Sequence, residues 1–242
     1  MPADAHRPIE VHNPSGRAPV LLVCDHASQF IPAELAGLGL GPELLGDHVA
    51  WDIGAWELAQ ALADVLDAPV VGAVASRLLI DANRALDAAD LIPLTAEGVP
   101  IPGNQQLGEA ERAARINAYH APFHRAIEVA LRDRPAICAI VSVHSFTPVR
   151  FGQSRPWHVG ILHEGDTRLA DPLIARLEGQ RQLCVGRNQP YAPGDGVYYT
   201  LDRHAAGRAT AMIEVRNDQL RDAGGRRRWA ELLGDALGGA LA

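Results

Sequence analysis

Val20-Leu21-Leu22-Val23-Cys24-Asp25-His26-Ala27-Ser28 is an apolar run that stops abruptly at an acid, an imidazole and a hydroxyl. An unbroken Val/Leu run predicts a strand buried on both faces of a sheet, and open α/β sheets place their ligands at the carboxyl ends of such strands. The pattern recurs once, in Ala139-Ile140-Val141-Ser142-Val143-His144-Ser145. The two runs together predict a scaffold that brings His26 and His144 to a common point.

Working outward, Asp52 stands as the N-cap of an amphipathic helix of about four turns. Ile53, Trp56, Ala59, Leu62, Val65 and Leu66 recur there at three- and four-residue spacing. Residues 69–75 and 77–80 read as two short strands around a turn, and 81–107 as a long irregular stretch of the kind that carries function. A helix resumes at Gly108, bends at Pro122 and stops at Pro135. Strands follow at 158–162, 182–186 and 209–216, with helices at 167–177 and 198–206, a second long loop at 188–197, and a closing helix through Trp229 and Leu237. Strands alternating with helices predict an α/β fold: a three-layer α/β/α sandwich with a mainly parallel or mixed central sheet. A chain of 242 residues suits one such domain over 1–242, with residues 1–18 as an extended lead-in.

Composition narrows the function. A net charge of -7 argues against a nucleic-acid surface, which needs a basic face. All 22 positive charges are Arg, so a lysine Schiff base and a P-loop lysine are excluded. Cys24, Cys138 and Cys184 are an odd set without C-x-x-C spacing and read as buried free thiols. With no apolar signal segment near Met1 and no window approaching a membrane span, a cytoplasmic location is expected, with no membrane partner.

The residues that can carry chemistry are His26, Asp52, His144, Glu214 and the arginines Arg77, Arg84 and Arg216. Two neutral imidazoles and a carboxylate from separate elements make an open zinc site, leaving the fourth position to water. Glu214 lies between Ile213 and Val215, where a buried carboxylate needs either a salt bridge, to an arginine such as Arg216, or a role as a base with raised pKa. Arg77 and Arg84 stand at strand and loop ends, and Asn83 adds an amide beside a guanidinium able to grip a carboxylate in a bidentate fork. His120 and His124 are four apart on a helix but lack the Glu of H-E-x-x-H, which favours helix packing over a metal pair. Ser28 and Ser145 lack a G-x-S-x-G elbow, and no G-x-G-x-x-G follows a strand.

The segments DHAS at 25–28, WDIGA at 51–55, SRLLIDANR at 76–84, SVHSF at 142–146 and MIEVRND at 212–218 resemble, in order, the N-formylglutamate amidohydrolase family. The resemblance implies a zinc-exopeptidase-like fold holding one Zn2+ per chain. It further implies hydrolysis of a small-molecule N-acyl amino acid, with N-formyl-L-glutamate giving formate and L-glutamate. Related amidases or carboxypeptidases acting on other N-acyl amino acids or peptidoglycan fragments, and a non-catalytic binding relative, are the alternatives. By the same resemblance His26 and His144 are metal ligands, with Asp52 as the third and Asp25 or Gln29 as alternatives. Glu214 is then the general base that afterwards protonates the leaving amine. Asn83 and Arg84 hold the substrate α-carboxylate, and Arg77 or Arg216 receives a side-chain carboxylate or the developing oxyanion. A monomer or homodimer is expected.

Overall fold

In the computed structural model, residues 7–241 are described. Seven strands form one sheet: β1 (Ile9–His12), β2 (Val20–Cys24), β3 (Val70–Ala73), β4 (Ala139–Phe146), β5 (Val159–Leu162), β6 (Val185–Arg187) and β7 (Ala209–Arg216). Their order is β1-β3-β2-β4-β7-β5-β6. β3, β2, β4 and β7 run parallel, and β1 and the β5-β6 pair run against them, so the sheet is mixed and mainly parallel. The carboxyl ends of β2, β4 and β7 therefore emerge along one edge.

Strand periodicity divides the core. Val20 and Leu22 with Val141, Val143, Ile213 and Val215 face helices α1 (Ala55–Leu66), α4 (Ala170–Glu178) and α6 (Ala223–Leu241). Leu21, Val23, Ile140 and Met212 face α3 (Ala121–Asp133) and α5 (Tyr199–His204). This is the expected three-layer sandwich. α2 (Glu109–Arg115) joins α3 through a π-turn at Ile116–His120, in which the Ala121 N–H reaches back to the Ile116 carbonyl. The predicted bend at Pro122 takes this form, because a proline supplies no N–H and the widened turn absorbs the break.

Several local expectations are corrected. Part of the lead-in is a strand, β1, paired antiparallel to β3; residues 1–6 lie outside the described residues. Residues 77–80 are a turn, because Leu78, Leu79 and Ile80 bury in a third apolar cluster with Leu38, Leu91 and Ile101 without joining a ladder. α1 begins at Ala55 behind Gly54 at φ +80°, a left-handed position where an added Cβ would also strike Leu220. Asp52 is not its N-cap. Cys24 is buried, but Cys138 is exposed and Cys184 half-buried. Among the described residues no helix is long and apolar enough to cross a membrane.

Candidate metal centre and active-site cavity

The carboxyl edge of the sheet delivers three groups to one point. His26 follows β2, His144 lies near the end of β4, and Asp52 occupies the turn before α1. The Asp52 N–H donates to the His26 carbonyl at 3.0 Å, and the Ala55 N–H donates to the Asp52 carbonyl at 3.0 Å. That backbone clip sets the carboxylate beside the first imidazole. One ligand atom from each of His26, Asp52 and His144 lies within 4.8 Å of the others, and all three residues are buried.

The nitrogens divide in a telling way. His26 Nδ1 lies 3.5 Å, and His144 Nδ1 2.8 Å, from the same oxygen, Asp52 Oδ2. Both Nε2 atoms face other carboxylates: His26 Nε2 donates to Asp81 Oδ1 at 2.7 Å and His144 Nε2 to Asp25 Oδ2 at 3.0 Å. A carboxylate on the outer nitrogen holds the proton there and leaves Nδ1 as a lone pair. In those tautomers two Nδ1 lone pairs and an anionic oxygen point at one another, an arrangement that a cation between them would relieve; in the other tautomer His144 Nδ1 donates to Asp52 Oδ2 at 2.8 Å. His26 Nδ1 is buried with no hydrogen-bond partner.

Electrostatics agree with these roles. Burial pulls His26 down to about 4, assisted by the charges of Arg77 and His144 and opposed by Asp81. Burial works to raise the Asp25 carboxyl, but the hydrogen bond and charge of His144, with His26 and Ser142, hold it well below the usual range. Asp81 is likewise held low against its burial by His26, Arg84 and Arg77. Asp25 spends Oδ2 on His144 and on the Ser142 hydroxyl at 2.6 Å, and Oδ1 accepts from Thr200 Oγ1. It supports a ligand instead of being one. Gln29 is exposed, outside this cluster.

Glu214 pairs in register with His144 on the adjacent parallel strand, so the two side chains leave the same face of the sheet. It lines a cavity of about 600 Å³ together with His26, Asp52 and His144. Burial raises its carboxyl, the charges of His144 and Arg77 oppose that rise, and Oε2 has no hydrogen-bond partner. The alternative of an ion pair with Arg216 is corrected: Arg216 Nε bonds Asp218 at 2.8 Å, Nη1 bonds the Arg155 carbonyl at 3.2 Å, and Arg216 does not line the cavity.

The other predicted substrate residues divide. Arg77 lines the cavity and donates Nη2 to Asp52 Oδ1. Arg84 also lines it, with Nε on Asp90 at 2.7 Å and Nη1 on the Asn83 carbonyl at 3.1 Å, which leaves Nη2 unengaged among the described residues. Asn83 is committed at both ends of its amide, donating to the Val197 carbonyl and accepting from the Thr200 N–H at 2.9 Å. It ties three segments together, and with one of its two amide N–H groups so used it still lines the cavity.

His120 and His124 pack as the helix reading expects. His120 Nε2 donates to the Arg84 carbonyl at 2.9 Å and His124 Nε2 to the Ala82 carbonyl at 3.0 Å, while His124 Nδ1 accepts from His204 Nε2 at 2.9 Å. Two histidines one turn apart thus pin the 82–84 segment. Sequence reasoning missed Asp81, Ser142 and Thr200 as supports of the two imidazoles, and Arg155 and Tyr191 in the cavity wall. Asp81 alone carried a signal, as an acid directly after the apolar run Leu78-Leu79-Ile80.

A family profile described as N-formylglutamate amidohydrolase matches residues 18–221. Among crystal structures, a gene product from Agrobacterium tumefaciens is 41% identical, with a TM-score of 0.94 over 98% of this chain and 95% of that one. The N-formylglutamate amidohydrolase from Ralstonia eutropha JMP134 is 22% identical, with a TM-score of 0.73 over 97% of each chain. A bacteriophage poly-gamma-glutamate hydrolase shares the fold at 13% identity and a TM-score of 0.50, over 96% of this chain and 87% of that one. No curated protein matches the chain by sequence. With the profile spanning most of its length, the chain belongs to the N-formylglutamate amidohydrolase family and is a hydrolase acting on amides.

Proposed function

We propose that the protein is a zinc-dependent amidohydrolase that cleaves N-formyl-L-glutamate to formate and L-glutamate. The observation that carries this reading is the convergence of His26 Nδ1 and His144 Nδ1 on Asp52 Oδ2, with both outer nitrogens held by carboxylates. Two imidazoles and one carboxylate are a donor set that zinc accepts in catalytic sites. A bound zinc ion would supply Lewis acidity, polarising the scissile carbonyl and lowering the pKa of an attacking water.

The chain's own residues supply the rest. Asp81 and Asp25 hold the ligating imidazoles in tautomer and orientation. Glu214, buried and with a free oxygen, takes a proton from the attacking water and returns it to the departing amine nitrogen, a transfer favoured by a carboxyl pKa shifted upward. Arg77 steadies Asp52 and adds positive charge where the oxyanion develops. Arg84 receives the substrate α-carboxylate through Nη2, its backbone pinned by His120.

Metal analysis with a formate-release assay tests this. About one zinc per chain and formate release from N-formyl-L-glutamate are expected, with turnover lost on chelation and regained on adding zinc. Full turnover by metal-free protein would sink the zinc mechanism. Turnover confined to other N-acyl amino acids would replace the substrate.

A further inference from the structure

Four guanidiniums line the cavity: Arg77, Arg84, Arg150 and Arg155. Three meet a carboxylate of the chain. Arg77 contacts Asp52, Arg84 contacts Asp90 at 2.7 Å and Asp81 at 3.7 Å, and Arg150 lies 3.5 Å from Glu97. Arg155 has no acidic partner within ion-pair distance among the described residues. Its contacts are neutral, with Nη1 on the Tyr191 hydroxyl at 3.1 Å and the Thr147 carbonyl at 3.5 Å. Nε and Nη2 make no hydrogen bond among those residues.

Arg155 is nevertheless held firmly. Its guanidinium lies 4.9 Å from the Tyr191 ring centre and 5.8 Å from that of Phe146, and its carbonyl is fastened by Arg216. Arg150 lies 5.8 Å from the same Tyr191 ring, so two cations share one aromatic platform. A fixed guanidinium that forms no ion pair, beside a second cation in a cavity and acting on Glu214 only through its charge, is a receptor for an anion.

Its position suits one end of a bound dicarboxylate. Phe146, over which Arg155 stacks, is two residues beyond His144 on the same face of β4, a step of roughly 7 Å. A glutamyl residue spans about 5 Å from amide nitrogen to γ-carboxyl carbon, counting four bonds near 1.5 Å. With a hydrogen bond of about 3 Å beyond it, the side-chain carboxylate reaches past one such strand step from the ligand set.

We propose that Arg155, assisted by the Tyr191 hydroxyl, binds the side-chain carboxylate of the substrate and sets the preference for acidic N-acyl amino acids. The assignment rests on the amidohydrolase reading above and gives the side-chain carboxylate a residue other than Arg77 or Arg216.

The test compares N-formyl-L-glutamate with N-formyl-L-glutamine, which differ only in that carboxylate. In Arg155→Met the glutamate-to-glutamine ratio of kcat/KM should fall by about 30-fold or more, chiefly through KM of the acidic substrate. Arg155→Lys should fall between, and Tyr191→Phe should lower the ratio several-fold. A purely structural role would slow both substrates equally, and that result, or an unchanged ratio, overturns the proposal. Calorimetric binding of free L-glutamate and L-glutamine separates this idea from the deformylase reading. No formate release, with a glutamate preference that disappears in Arg155→Met, would defeat the reaction assignment and keep the carboxylate site. Formate release without any glutamate preference would defeat the carboxylate site alone, and no preference in binding would overturn it independently of turnover.

Discussion

Glu214 and Asp25 are both buried acids within a few ångströms of His144, yet their surroundings assign them opposite work. Asp25 is saturated by Ser142, Thr200 and His144 and stays ionised, whereas Glu214 keeps an unbonded oxygen and a raised carboxyl. Glu214→Gln should therefore lower kcat by about 10²- to 10⁴-fold while the thermal midpoint holds or rises, since a buried charge is removed; steady-state kinetics beside a melt would show it, and retained turnover would displace the base. Asp25→Asn should instead weaken zinc binding by about 10- to 100-fold through His144, read by titration against a competing chelator. At this scale the histidines were legible because each ends an apolar strand. Asp52 was legible as a residue but not for its local reason: the helix cap is Gly54, and the acid is freed to face the imidazoles. Arg155 left no trace in the sequence, because its distinction is the absence of an acidic partner.

Elements position these groups through close approaches that depend on small side chains. Gly160 of β5 pairs with Glu214 of β7, and an added Cβ would collide with the Gln189 carbonyl in the loop that carries Tyr191. Gly160→Ala should destabilise the protein by about 2 kcal/mol or more and raise KM by displacing that loop, measured by denaturant melts and kinetics; a neutral effect would mean that the loop is not seated against β5. Strands buried on both faces, β2, β4 and β7, were readable as continuous apolar runs. β1 was not, because an edge strand such as Ile9-Glu10-Val11-His12 carries polar residues and draws its structure from β3. Residues 77–80 misled in the opposite direction, since burial in the third cluster produces an apolar run without any ladder.

Across the whole molecule, buried neutral histidines make the metal-free protein acid-sensitive. Burial lowers His26 and His204 to about 4 and His124 to about 3, against about 6.5 in an unfolded chain. Between those limits the unfolded state binds protons that the folded state refuses. The stability is thus fully present above pH 6.5 and is lost as pH falls toward 4 and 3. Asp25 and Asp81, held low in the fold, add a loss in the same direction at still lower pH. Urea midpoints of metal-free protein should drop steadily from pH 7 to pH 4, and a flat profile would contradict the neutral histidine assignment.

By itself the sequence determined the layered α/β architecture and the pair of histidines. Apolar periodicity and strand-end chemistry are local properties of the chain, and the five ordered motifs are written in it directly. Only the tertiary structure decided which nitrogen of each imidazole faces Asp52, which acids support the site, and which arginine remains without an acid. Those facts are distances between residues far apart in the chain: Asp81 reaches His26 across 55 positions and Asp25 reaches His144 across 119. Charge compensation depends on what each group finally meets, and the fold alone sets that.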